Sequence, residues 1–282
     1  MQSDRPRRGF RRRWLATLVL LVGVTCAAIA WRDTMARPEV RRIETALPGM
    51  PASARPVTIA LLADIHVAGP DMPPARVARI VAQVNALDPD LVLIAGDFVS
   101  DKRTATRHYA SAEAIAPLAK LAAPVFAVPG NHDHWRGLHK VEDSLRSAGV
   151  TLLANQARAV GPLVVAGLDD EFTGHADLPA TLSAMDTLSG GRLVLSHSPD
   201  PFPDLPADTG LLLAGHTHCG QIRYPWGGSP ATMSRYGQKY ACGIVRENGN
   251  TLIASGGLGT SVLPFRFLTR PEIWLVEVSG RD

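Results

Sequence analysis

Apolar residues fall along this chain in two arrangements. Residues 14–31, bounded by Trp14 and Trp31, carry no charge, and as an α-helix that stretch just spans the roughly 30 Å hydrocarbon core of a bilayer. From residue 57 onward, aliphatic runs at 57–63, 91–95, 125–128, 163–168, 192–195 and 211–214 alternate with polar loops. Short runs of this kind, stopped by Gly, Pro or a polar residue, predict strands buried on both faces. Between the first two, Val77, Ile80, Val81, Val84 and Leu87 recur at helical spacing behind Pro74, a residue that the first turn of a helix tolerates. Residues 111–121 and 140–148 read as further helices. This alternation predicts an α/β domain with a largely parallel sheet. Beyond residue 220 the chain is rich in Gly, Pro and aromatics, and strands at 242–246, 250–254 and 272–278 predict a meander.

Six arginines stand within residues 1–13, ahead of the apolar stretch. Positive-inside bias keeps this basic N-terminus in the cytoplasm and puts everything after Trp31 on the outer side of the membrane. The expectation is an uncleaved anchor at 14–31, because the apolar stretch is longer than a usual signal core. A cleaved export signal is the alternative: Arg7-Arg8-Gly9-Phe10 loosely resembles a twin-arginine motif, and Ala28-Ile29-Ala30 offers a small-residue cleavage site. Residues 32–56, with Pro38, Pro48, Pro51 and Pro56, read as a linker holding a domain of residues 57–282 near the membrane.

Of the 282 residues 46% are hydrophobic and 20% charged, enough to bury the core of one large domain. The formal charge of +3 comes from the N-terminal arginines. The remainder is slightly acidic, which argues against a nucleic-acid partner. The three cysteines, Cys26, Cys219 and Cys242, match neither a zinc-finger spacing nor a disulfide-dense framework. In an oxidising compartment Cys219 and Cys242 can pair.

The predicted strands end on chemically similar residues. In order, their exits present Asp64 and His66, Asp97, Asn131 with His132 and Asp133, His197, and His216 with His218. A single Asp or His at a loop is usually a cap or a solvated turn residue, but five successive strand exits make coincidence a poor explanation. Histidine and carboxylate donors with one amide oxygen and no thiolate suit Mn, Fe, Co or Zn better than an all-oxygen Mg or Ca cage. Asp64, His66, Asp97, Asn131, His197, His216 and His218 are too many ligands for one open catalytic ion. They suit two ions about 3.5–4 Å apart that share a carboxylate.

Asp64-x-His66, Gly96-Asp97, Gly130-Asn131-His132-Asp133, His197 and Gly215-His216-Thr217-His218 resemble the ordered signature of the calcineurin-like metallophosphoesterases. The Gly-His-Thr-His-x-Gly-Gln block, the later run 256–261 and the N-terminal anchor more narrowly resemble a bacterial membrane-associated branch, with Cys219 where a second glycine is expected. The resemblance implies a four-layer fold, a double β-sandwich flanked by helices, in place of the single sheet. It implies Asp64, His66 and His218 on one ion, Asn131, His197 and His216 on the other, and Asp97 bridging. The implied activity is hydrolysis of a phosphodiester or pyrophosphate bond through a metal-activated hydroxide. His132 is assigned to stabilising or protonating the leaving oxygen, with Asp133 orienting its imidazole.

The expected substrate is membrane-associated, a phospholipid or lipid-linked pyrophosphate, and the expected place is the bacterial inner membrane with a periplasmic domain. UDP-2,3-diacylglucosamine pyrophosphatase in lipid A synthesis is an alternative, because related bacterial enzymes act there, yet that intermediate is cytoplasmic. A non-catalytic metal-bound scaffold would tolerate gaps in the ligand set, and a metal store would not need His132-Asp133. His108, His134, His139 and His175 lie outside the signature and read as solvated or packed residues. Arg223, Tyr224 and Trp226 are expected to wall the cleft. Phe265-Arg266-Phe267-Leu268 reads either as core packing or as a lipid-facing lip with Arg266 as its cation.

Overall fold

The computed structural model describes residues 5–280. Residues 1–4 and 281–282, the outer ends of the expected segments 1–13 and 57–282, lie outside the described residues. The chain opens with helix α1 (Arg5–Met35), of which Arg12–Met35 is long and apolar enough to cross a membrane, with a mean hydropathy of 2.1. The first half then runs β1 (Glu39–Leu47), β2 (Val57–Leu62), β3 (Ala68–Gly69), α2 (Pro74–Asn85), β4 (Leu91–Ala95), β5 (Arg107–His108), α3 (Ser111–Ile115), β6 (Val125–Val128), α4 (Asn131–Trp135), α5 (Leu138–Ser147) and β7 (Val150–Leu152). The second half runs β8 (Gln156–Val160), β9 (Leu163–Gly167), α6 (Leu178–Asp186), β10 (Gly191–Leu195), β11 (Leu211–Ala214), β12 (Gly243–Glu247), β13 (Asn250–Ala254) and β14 (Glu272–Gly280).

These strands form two six-stranded sheets rather than one, in the orders β1-β14-β2-β4-β6-β7 and β12-β13-β11-β10-β9-β8. β2, β4, β6 and β7 pair in parallel, as do β9, β10, β11 and β13. Side chains of period two explain why the runs are continuously apolar. Ile59, Leu61, Leu91 and Leu93 meet Leu193, Leu195, Leu211 and Leu213 between the sheets. The alternate residues Ala60, Leu62, Val92 and Ile94 face the other way, against Val77, Ile80 and Val84 of α2. Val194, Leu212 and Leu252 likewise pack outward, against Met185 of α6 and Phe202. The result is the helix–sheet–sheet–helix sandwich of the expected four-layer fold.

Three local expectations change. Within the stretch read as a linker, Glu39–Leu47 forms β1 and pairs in parallel with β14 over nine residues. It is an edge strand with mostly exposed, charged side chains, so backbone pairing places it without an apolar signal. The helix expected at 111–121 is α3 followed by a 3-10 turn, Ala116–Lys120, because Pro117 has no N–H for the α-helical bond and its ring clashes with the preceding turn. Finally, α1 continues past Trp31 to Met35 and its end is buried in the domain.

That end is held tightly. Thr34 Oγ1 accepts from the Arg266 backbone N–H at 2.6 Å, Asp33 Oδ2 accepts from Leu268 N–H at 3.1 Å, and the Thr34 carbonyl accepts from Arg76 Nη2 at 2.7 Å. The last turn of α1 is therefore a structural part of the domain. Thr34→Val leaves the buried Arg266 N–H without an acceptor, at about 1–3 kcal/mol. We expect lower thermal stability and faster amide hydrogen exchange across residues 256–268 in that variant. Unchanged exchange there would mean that the helix end does not hold this segment.

Candidate metal centre

The seven predicted ligands converge. Asp64 and His66 follow β2, Asp97 follows β4, and Asn131 opens α4 behind β6. From the second sheet, His197 follows β10, and His216 and His218 follow β11. The ends of parallel strands from both sheets thus open on one rim, where α/β proteins place ligands. Asp64, His66, Asp97, His216 and His218 all have positive φ, between 48° and 68°. Such backbone is uncommon for residues with a side chain and tends to gather at functional sites. Gly130 is required by the packing, since a Cβ there would overlap Asp97 Oδ1.

Two groups form around Asp97. His66 Nε2 lies 3.1 Å from His218 Nε2, and both belong with Asp64 to a set whose donor atoms all fall within 4.8 Å of one another. On the other side, His197 Nε2 lies 3.0 Å from Asn131 Oδ1 and 3.1 Å from His216 Nδ1. Asp97 Oδ2 stands between, 3.2 Å from His66 Nε2 and 3.3 Å from His197 Nε2. His197 Nδ1–H donates to the Ala95 carbonyl at 2.7 Å, which fixes the ring and turns Nε2 inward. So many facing lone pairs, nitrogen and oxygen without thiolate, fit divalent cations of the borderline type.

The electrostatics agree with that fit. Burial, reinforced by Asp97, pushes the Asp64 carboxyl up to about 7. Burial disfavours charge on His197, yet the carboxylates of Asp97, Asp64 and Asp170 carry it up to about 10. Burial together with neighbouring His197 lowers His216 to about 4. A buried cluster pulled apart in this way is short of positive charge.

His132 sits beside the cluster, its ring edge-on to His66 at 4.7 Å. Its partner is not Asp133. His132 Nδ1 pairs with Asp101 Oδ1 at 2.5 Å, and Nε2 faces Ser261 Oγ at 3.5 Å. Asp133 is wholly buried and accepts from the N–H groups of Asp97, Phe98 and Gly130 at 2.8–3.0 Å. It braces the loops after β4 and β6, and the carboxylate in contact with the His132 imidazole is that of Asp101. The available signal was a second carboxylate in the Asp97 loop, whereas adjacency in sequence singled out Asp133, whose carboxylate turns away from the imidazole.

Other expected residues separate. His134 pairs with Asp169 at 2.8 Å and stacks on His175, outside the cluster. Arg266, the cation of the lipid-facing reading of residues 265–268, is fully buried and donates to the carbonyls of Gly256 and Gly259. The Gly259 N–H in turn donates to the Asp64 carbonyl at 2.7 Å, so Arg266 holds the turn that closes over a candidate ligand. Cys219 and Cys242 form a disulfide. A cavity of about 310 Å³ borders Asp97, Asn131, His132, His216 and His218; Ile222 lines it, whereas Arg223, Tyr224 and Trp226 do not.

Known proteins share this arrangement of sequence. The profile of the family described as calcineurin-like phosphoesterase matches residues 57–256. Phosphodiesterase YaeI of Escherichia coli (strain K12) is 32% identical over 236 residues, covering 80% of this chain and 83% of its own. The uncharacterized metallophosphoesterase YkuE of Bacillus subtilis (strain 168) is 34% identical over 207 residues, 69% of each chain. A transmembrane protein with metallophosphoesterase domain from Danio rerio is 29% identical over 278 residues, 91% of this chain and 61% of its own.

Proposed function

The chain belongs to the calcineurin-like phosphoesterase family, and we propose that it is a membrane-anchored phosphodiesterase in which Asp64, His66 and His218 hold one divalent ion, Asn131, His197 and His216 a second, and Asp97 both. The observation that carries this reading is the position of Asp97 Oδ2, within 3.3 Å of a histidine nitrogen from each group. Mn, Zn, Fe and Co all suit these donors. Divalent ions in such a pair supply charge neutralisation at the phosphoryl oxygens and acidify water.

The chain's own residues do the remaining work. Asp101 holds Nδ1 of His132, which leaves Nε2 facing the cavity as the group that gives its proton to the leaving oxygen. The His132 backbone N–H donates to Asp97 Oδ1 at 2.9 Å, tying the position of the acid to that of the shared carboxylate. Asn131 and His132 open the same helix, α4, so the ligand and the acid keep a fixed separation.

Helix α1 is the anchor in this reading, and the domain lies on the outer, periplasmic side, where a membrane-associated diester or lipid pyrophosphate reaches it. The arginines before α1 support that side, and so does the Cys219–Cys242 disulfide, a bond of oxidising compartments. Both weigh against a cytoplasmic UDP-2,3-diacylglucosamine substrate. A cleaved form ending its signal at Ala30 would keep Asp33 and Thr34. A scaffold without catalysis is disfavoured, since every ligand position and the proton donor are filled.

Full-length protein supplied with Mn is expected to hydrolyse bis-p-nitrophenyl phosphate, and Asp97→Asn is expected to abolish that turnover. Absence of turnover with Mn, Zn, Fe and Co alike would overturn the reading. His132→Gln should lower kcat by ~10²–10⁴-fold while bound metal, measured by elemental analysis, stays at two ions per chain. Loss of metal together with turnover would make His132 a ligand rather than an acid. Asp101→Asn should lower kcat by about tenfold or more, with metal content again unchanged; full activity in that variant would remove Asp101 from the mechanism.

A further inference from the structure

The cavity beside the metal centre has two unlike walls. One carries the candidate ligands and His132; the other is Trp135, Phe172, Ile222, Met233, Val262 and Leu263. Phosphoryl transfer needs only the first. The second is also unusually exposed, with Val262 at 72%, Met233 at 57% and Trp135 at 54%. A contiguous apolar surface left in water marks a place where something apolar binds. Among the described residues no Lys or Arg lines the cavity, so no basic side chain there answers the additional phosphates of a nucleoside di- or triphosphate.

The apolar wall is attached to the end of the membrane helix. Leu263 stands two residues before Phe265, which bounds the separation of their Cα atoms at about 7 Å, and the Phe265 ring meets the Trp31 ring edge-on at 6.5 Å. Trp31 closes the apolar span, where tryptophan prefers the membrane–water interface. Ile222 bridges to Phe267 in the same docking segment, and Gln221 Nε2 donates to the carbonyls of Leu263 and Phe265 at 2.9 Å. Thr34 and Asp33 then fix that segment to α1. One side of the cavity is therefore built next to the point where the chain leaves the bilayer.

We infer that the substrate is an amphiphile, a phosphodiester bearing a hydrocarbon chain that lies against this apolar wall while its phosphoryl group meets the metal centre. The inference rests on the phosphodiesterase reading above and deepens it by assigning the hydrocarbon part of the substrate to a named wall of the cavity. A cavity of about 310 Å³ is at the small end of ligand sites, and accommodates one chain segment beside the phosphate.

The test uses full-length protein in nanodiscs with Mn, and compares methyl, butyl and octyl p-nitrophenyl phosphate with thymidine 5′-(p-nitrophenyl phosphate) and bis-p-nitrophenyl phosphate. From methyl to octyl, kcat/KM is expected to rise by about tenfold or more. Val262→Asp, and independently Leu263→Asp, should collapse the octyl-to-methyl ratio toward one. Partition of the longer ester into the bilayer is common to wild type and variants, so a ratio that survives both substitutions would overturn the apolar wall. Equal turnover of all alkyl esters, or preference for the thymidine ester, would overturn the amphiphile while leaving the phosphodiesterase. Failure to cleave any ester, bis-p-nitrophenyl phosphate included, would overturn both.

Discussion

Everything at the rim of this protein depends on crowding electron-rich donor atoms into a largely buried place beside an open cavity. His66 and His218 point nitrogen at nitrogen across 3.1 Å, and Asp97 stands between two histidines. Placing such groups in low dielectric is unfavourable unless positive charge joins them. Without it the charges rearrange: burial holds the Asp64 carboxyl near 7, and the surrounding carboxylates keep His197 protonated up to about 10. The backbone is bent to match, with left-handed residues at five of the seven donors. A site that accepts both unpaired charge and unfavourable backbone is built for a cation rather than for stability.

The sandwich makes the crowding possible. Leucines and isoleucines on alternate positions of β2, β4, β10 and β11 lock the two sheets face to face, and the same strands deliver donors from their ends. Donors from one sheet alone could not surround Asp97. Asp133 adds the cross-link, accepting N–H groups from the loops after β4 and β6. The turn at 256–259, gripped by the buried Arg266, closes over Asp64. Since Arg266 also leans on Thr34, the end of α1 and the metal centre share one packed unit.

Much of this was legible in the sequence because the features are local. Strands buried on both faces write continuous apolar runs, and donors at strand exits write the blocks from Asp64-x-His66 to His216-Thr217-His218. β1 was not legible: its residues, such as Arg41, Arg42 and Glu44, are on an exposed edge, and only the partner β14 explains their pairing. The partner of His132 was not legible either. Asp101 is 31 residues away from it, brought near by the parallel neighbours β4 and β6, while Asp133 alongside it faces the other way. Arg266 misled for a related reason, since its charge suggests solvent and its carbonyl partners lie in a turn whose shape no spacing records.

Anomalous diffraction from crystals of the full chain grown with Mn would test the shared metal centre directly. Two anomalous peaks about 3.5–4 Å apart, one on the side of Asp64, His66 and His218 and the other on the side of Asn131, His197 and His216, with the Asp97 carboxylate touching both, is the result expected. A single peak, or two peaks that Asp97 does not join, would contradict a dinuclear site at these residues.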